Sequence, residues 1–146
     1  MIFRAEDYRD AAAEHMTVAH ELYQHGHYVL LFYVAGLAVE CMLRAYRLRI
    51  DREFDERHDL RELLTSSRFI HNLEESERTQ IMAAVDHVRR LWRNSHRYCS
   101  SGLLRRFLKS GGYDRGIRGD AIKENARRLL LSATRVVEVG GNQWKS

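Results

Sequence analysis

The run from Tyr28 to Arg49, YVLLFYVAGLAVECMLRAYRLR, is apolar on almost every side, and this limits what the chain can become. Leu30, Val34, Leu37, Cys41, Ala45 and Leu48 make one stripe at helical spacing, while Phe32, Val39, Leu43 and Tyr46 cover a second face. A helix that is apolar all round belongs inside, so this one is expected at the centre of a helical bundle. Only Tyr33, Glu40, Arg44 and Arg47 form a polar seam, and Glu40 stands four residues before Arg44, the favourable order for a helix ion pair. A bilayer needs about 20 consecutive apolar residues. The run meets Glu40 before that length is reached, which argues against a membrane span.

Composition supports the same class. The chain has 146 residues, no proline and 45% hydrophobic residues, with long runs of Ala, Leu, Arg and Glu and no strand-like alternation. The expectation is an all-α, up-and-down bundle of four to five helices in a single domain spanning 1–146, its core at about 5–139. A chain of this size hides roughly 68 to 70% of its unfolded surface. Cys41 and Cys99 have neither a disulfide framework nor metal-ligand spacing, so both read as reduced thiols and the expected compartment is cytoplasmic. The opening MIFRAEDYRD lacks the apolar core of a signal peptide.

Taken in order, Tyr8, Ala12, His15, Ala19 and Leu22 recur three and four apart and predict a first helix from Ala5 to Gln24. Gly26 then breaks the chain, so helices one and two form an antiparallel hairpin. His15, His20, His25 and His27 crowd this region, but a five-residue step turns a helix by about 140°. His15 and His20 therefore point apart, and no metal site is expected. Asp59-Leu60-Arg61-Glu62 has the form of a capping box and opens a short third helix, after a charged loop from Asp51 to Arg57. Asn72-Leu73-Glu74-Glu75 leads into a long fourth helix with Ile81, Ala84 or Val85, Val88, and Leu91 or Trp92 inward. Residues 100 to 119 hold five of the nine glycines and read as an irregular or partly helical, mobile connection, with one or two helical turns between Leu103 and Leu108. A last helix opens at Gly119-Asp120, buries Ile122 to Val137, and is expected to end at about Val139, before Gly140-Gly141.

Charge is distributed unevenly. Between Arg89 and Arg118 lie nine Lys or Arg, namely Arg89, Arg90, Arg93, Arg97, Arg105, Arg106, Lys109, Arg115 and Arg118, against the single acid Asp114. This stretch is strongly cationic, whereas the whole chain carries only +4. With Tyr98, Phe107 and Tyr113 interleaved, it has the composition of a surface that tracks phosphates and stacks bases.

Five pieces of the chain together resemble the HEPN domains. They are Leu22 to Tyr28, Ala35 to Arg44, His58-Asp59-Leu60, Arg97-Tyr98, and the final Ala-containing helix, in an order that spans about Ala5 to Val139. The resemblance implies an up-and-down bundle, a homodimer, an association with RNA or nucleotides, and a small nucleotidyltransferase as partner. Many HEPN proteins are metal-independent ribonucleases that use an Arg, four to six residues, then His. Arg90 is followed by five residues before His96, and Arg89 by six. An arginine can stabilise a pentacoordinate phosphate, and an imidazole with an ordinary pKa of about 6.5 can move the proton of a ribose 2′-hydroxyl. If the helix ran unbroken, seven residues would bring Arg89 within roughly 20° of His96, which favours Arg89 over Arg90.

The match is a hybrid, because the polar residue expected after the motif Arg is Asn94, which follows Arg93, only three positions from His96. Arg89, Arg90 and His96 are thus the candidate catalytic residues. Arg93, Arg97, Tyr98, Arg105, Arg106, Lys109, Arg115 and Arg118 are the candidate nucleic-acid contacts. No metal or cofactor is expected. Glu40 is expected to pair with Arg44, and His58 to bond the backbone near the third helix. Two functions follow: a dimeric ribonuclease of a toxin-antitoxin or defence system, or a non-catalytic HEPN dimer that binds RNA, a nucleotide or a nucleotidyltransferase.

Overall fold

The computed structural model describes residues 1–54 and 59–145, so the expectation for His58 falls outside the described residues. It is all-helical: α1 (Ala5–Gln24), α2 (Tyr28–Ile50), α3 (Leu60–Ser66), α4 (Glu75–Leu91), a 3-10 turn (Asn94–Tyr98), α5 (Ser101–Ser110) and α6 (Ala121–Trp144). The four long helices α1, α2, α4 and α6 run alternately up and down around one core. Gly26, at φ +77°, makes the left-handed turn that folds α2 back on α1.

Helix α2 is long and apolar enough to cross a membrane by length and composition. In the bundle its apolar surface is spent on α1, α3, α4 and α6, and Leu31, Phe32, Ala35, Ala38, Val39, Leu43 and Ala45 are fully buried. The expected stripe is correct only in its second half. Cys41, Ala45 and Leu48 are buried, but Leu30 is 48% exposed and Val34 and Leu37 are half-buried. The first turns of α2 are covered on the side of Leu31 and Phe32, whereas further along α6 closes over the helix at Met42 and Tyr46, the latter donating to Gly140 O at 2.6 Å. The Glu40–Arg44 pair forms, at 3.4 Å.

Among the described residues, cap side chains hold three of the six α-helix starts. Asp59 accepts from the Glu62 N–H, Ser100 from Leu103, and Asp120 from both Ile122 and Lys123. The fourth helix begins without a side-chain cap; Arg78 ties its entry instead, donating to Ile70 O and Leu73 O.

Two expectations are overturned. Residues 101–110 are a full helix, because Leu104 and Leu108 are completely buried against α6 and anchor it. The glycines act only beyond it, where Gly112, Gly116 and Gly119 take positive φ. The last helix also runs through Gly140-Gly141 to Trp144. Gly140 is a packing residue: a Cβ there would stand 2.6 Å from Met42 Cγ and 3.0 Å from Phe69. Beyond it, Trp144 is held between Arg49, 3.8 Å above its ring, and Arg9 at 5.4 Å.

Candidate nucleic-acid interface

The end of α4 decides where the candidate residues go. Leu91 is the last helical residue, and Trp92 and Arg93 are extended before the chain rewinds into the 3-10 turn. The unbroken helix that would align Arg89 with His96 is therefore absent, and the angular reason for preferring Arg89 lapses. The break has a local cause. Trp92 leaves the helix to lie over Gly36, where any Cβ would overlap its ring, and its Nε1 donates to Tyr33 O at 3.1 Å. Arg93 covers the exposed carbonyls of the helix end, its Nη1 donating to the carbonyls of Arg89 (2.9 Å) and Trp92 (2.9 Å).

Neither Arg89 nor Arg90 bonds His96 among the described residues. Both bind Asp86, one and the same carboxylate, each at 2.9 Å from the turn below. The hydrogen bond from Arg89, joined by the charge of Arg90, holds the Asp86 carboxyl below the usual carboxylate range. Asp86 was not singled out from sequence, although its place three and four residues before two arginines is the signal for such a pair.

His96 is only 5% exposed. Its ring meets Phe32 edge-on at 6.4 Å and Phe107 of α5 at 5.1 Å, so α5 forms one wall of its site. Arg93 in turn lies 5.5 Å over Phe107. The Arg93 N–H donates to His96 Nδ1 at 3.2 Å, and the His96 N–H returns a bond to Arg93 O at 2.9 Å. Burial, helped by the charge of Arg93, pushes the His96 pKa down, so the ring is neutral at pH 7. A neutral imidazole whose Nδ1 accepts a hydrogen bond carries its proton on Nε2. His96 therefore presents an N–H donor, and no free lone pair, at Nε2.

Beside His96 the surface opens into a groove of about 600 Å³, lined among others by Gly26, His27, Tyr28, Arg97 and Cys99. Arg97 lies 4.9 Å over the Tyr98 ring, and its hydrogen bond to Tyr33 raises its pKa further. Burial raises the Cys99 pKa, which keeps the thiol protonated and a poor nucleophile. Of the remaining candidates, Arg105, Arg106 and Lys109 project from α5 into solvent, and Arg115 and Arg118 are exposed in the turn that follows. Tyr98 is 77% exposed beside them. The turn is locked from below by Asn125, a buried residue sequence reading passed over, which donates to Tyr113 O (3.0 Å) and Ala121 O (2.9 Å).

Among the described residues, no group of three or more His, Cys, Asp or Glu side chains converges to hold a metal ion. The histidines are used singly: His20 meets Thr134 Oγ1 at 3.0 Å, His25 meets Glu21 O at 2.8 Å, and His87 meets Ser132 Oγ at 2.7 Å. The site is thus built of arginines, one buried imidazole and the exposed ring of Tyr98.

No curated protein and no solved structure matches the chain. The family model described as "HEPN domain" matches residues 5–143, nearly the whole chain and all of its long helices. With a helical bundle of matching extent, this chain belongs to the HEPN domain family, whose general character is RNA binding and nuclease-type activity.

Proposed function

We propose that this protein is an RNA-binding HEPN module that grips phosphates along the segment from the end of α4 to the turn after α5. The observation that carries the reading is the array of exposed cations, Arg97, Arg105, Arg106, Lys109, Arg115 and Arg118, set beside the exposed Tyr98. Cations that neutralise phosphates and a free aromatic face on which a base can stack are the two parts a single-strand binder requires. A homodimer would double this surface, and a nucleotidyltransferase is the partner class that the family suggests. The test is fluorescence anisotropy with a labelled single-stranded RNA at rising salt. Affinity should fall linearly on a log–log plot, with a slope of about −0.7 per phosphate contact. Salt-independent binding, or none, rejects the reading.

A second reading, metal-independent RNA cleavage, is favoured by His96, which lines the groove with its Nδ1 already taken by the Arg93 N–H. In this geometry the neutral His96 acts as a hydrogen-bond donor to a non-bridging phosphate oxygen. The 2′-oxygen bonds phosphorus as the P–O5′ bond breaks, the 2′-hydroxyl proton passing to water and the leaving 5′-oxygen taking one from water. His96 is not the base that takes the 2′-hydroxyl proton, since its Nδ1 accepts the Arg93 N–H. Arg89 and Arg90 are held by Asp86, so the arginine that lines the groove is Arg97. Cleavage that persists in chelator and disappears in His96→Ala, with RNA still bound, supports this reading; RNA bound but never cut rejects it.

A further inference from the structure

Arg97, exposed at the head of the basic segment, is held without being neutralised. Among the described residues its partners are phenols. The guanidinium donates to the hydroxyls of Tyr33 and Tyr98 and lies 4.9 Å over the Tyr98 ring. A neutral hydroxyl orients a guanidinium, leaves its charge in place and leaves further N–H donors for a ligand. Arg89 and Arg90 show the opposite arrangement, since the Asp86 carboxylate that fixes them also cancels charge.

Of the two phenols, Tyr33 is the one that relates Arg97 to the core. Tyr98 is 77% exposed and belongs to the same 3-10 turn as Arg97, so it moves with its neighbour. Tyr33 belongs to α2, which packs on α1, α3, α4 and α6, and is half-buried there. Its main-chain carbonyl takes the Trp92 Nε1–H at 3.1 Å. The same residue therefore fastens the extended link after α4 through its backbone, and Arg97 beyond that link through its side chain.

We propose that Tyr33 is a positioning residue for RNA binding: its hydroxyl holds the Arg97 guanidinium in one orientation with its charge free for the RNA backbone. The role rests on the RNA reading for its ligand, whereas the ordering of Arg97 is a property of the free protein. A long side chain fixed beforehand spares the complex the entropy of ordering it, which amounts to roughly two- to tenfold in affinity.

The test is Tyr33→Phe in the full chain, which removes the hydroxyl and keeps both the ring and the carbonyl that Trp92 uses. Melting temperature and tryptophan fluorescence should stay as in the wild type. The Arg97 Nε–H, followed by nitrogen relaxation without RNA, should be ordered in the wild type and motionally averaged in Tyr33→Phe. Affinity for a labelled single-stranded RNA should fall roughly two- to tenfold, with the salt slope unchanged because the charge remains. Arg97→Ala should instead lower that slope by about 0.7. In the Arg97→Ala background Tyr33→Phe should have no further effect, which is the mark of a residue that acts through Arg97.

An Arg97 signal with the same order in wild type and Tyr33→Phe overturns the proposal whatever the RNA does. Unchanged RNA affinity in Tyr33→Phe overturns it as well. So does an equal loss in the Arg97→Ala background, which makes Tyr33 an RNA contact or a residue of the fold. A wild type that binds no RNA, while Arg97 still loses order in Tyr33→Phe, rejects the RNA reading and reduces the hydroxyl to a structural tie.

Discussion

Gly36 lies directly beneath the indole of Trp92, so closely that a Cβ at position 36 would overlap the ring. The contact is the reason α4 ends where it does. With its Nε1 bonded to Tyr33 O, Trp92 is fastened to α2, and the chain after it turns back towards Phe32 with His96 in place. The site therefore depends on a glycine two helices away in sequence.

Gly36→Ala tests that dependence. Alanine gains up to about 1 kcal/mol of helix propensity over glycine, whereas overpacking costs typically 1 to 3 kcal/mol. A net loss of stability is expected in urea titration, accompanied by a change in tryptophan fluorescence as Trp92 is displaced. A stabilised variant with unchanged fluorescence would show that the indole moves aside freely.

The burial pattern of α2 ranks three leucines. Leu31 is fully buried, Leu37 is half-buried and Leu30 is largely exposed. Leu31→Ala should cost about 2 to 5 kcal/mol, Leu37→Ala less, and Leu30→Ala within about 0.5 kcal/mol. Denaturant midpoints of the three variants check the order. Equal losses at Leu30 and Leu31 would mean that the face carrying Leu30 is covered, as by a second subunit.

Acid should weaken the fold through two imidazoles. Burial lowers the His87 pKa, with the charges of Arg128 and Arg90 adding to it against Asp86, and burial with Arg93 lowers that of His96. In both cases the unfolded chain binds the proton more readily, so stability is complete above the ordinary histidine pKa of about 6.5 and declines as pH falls below it. Urea midpoints should drop between neutral pH and pH 5.5, and His87→Gln should flatten part of that slope. A midpoint that rises on acidification contradicts the sign.

Asp86 restrains two arginines at once. Asp86→Asn removes the charge that pairs with them, so RNA affinity should increase and its salt dependence should steepen by about 0.7 for each guanidinium that reaches a phosphate. If affinity is unchanged, Arg89 and Arg90 lie off the RNA path and their positions near the motif histidine are structural.

The helices themselves were legible from local pattern. The bounds of α1 and the start of α2 follow from apolar spacing and Gly26, and Asp59 and Asp120 announce the helices they cap, because caps and turns involve residues within a few positions of each other. The basic stretch and the Arg–His spacing are likewise properties of the order of residues. What sequence could not supply was whatever depends on a distant partner. Residues 100–119, with five glycines, read as irregular or partly helical with only one or two turns, until Leu104 and Leu108 find α6. Gly140 looks like a helix end until Met42 and Phe69 close on it. The phase between Arg89 and His96 rested on a helix that Trp92, drawn to Gly36, interrupts. The state of His96, neutral with its Nδ1 taken by the Arg93 N–H, is set by Phe32, Phe107 and the Arg93 backbone together, and only tertiary packing brings those three to one ring.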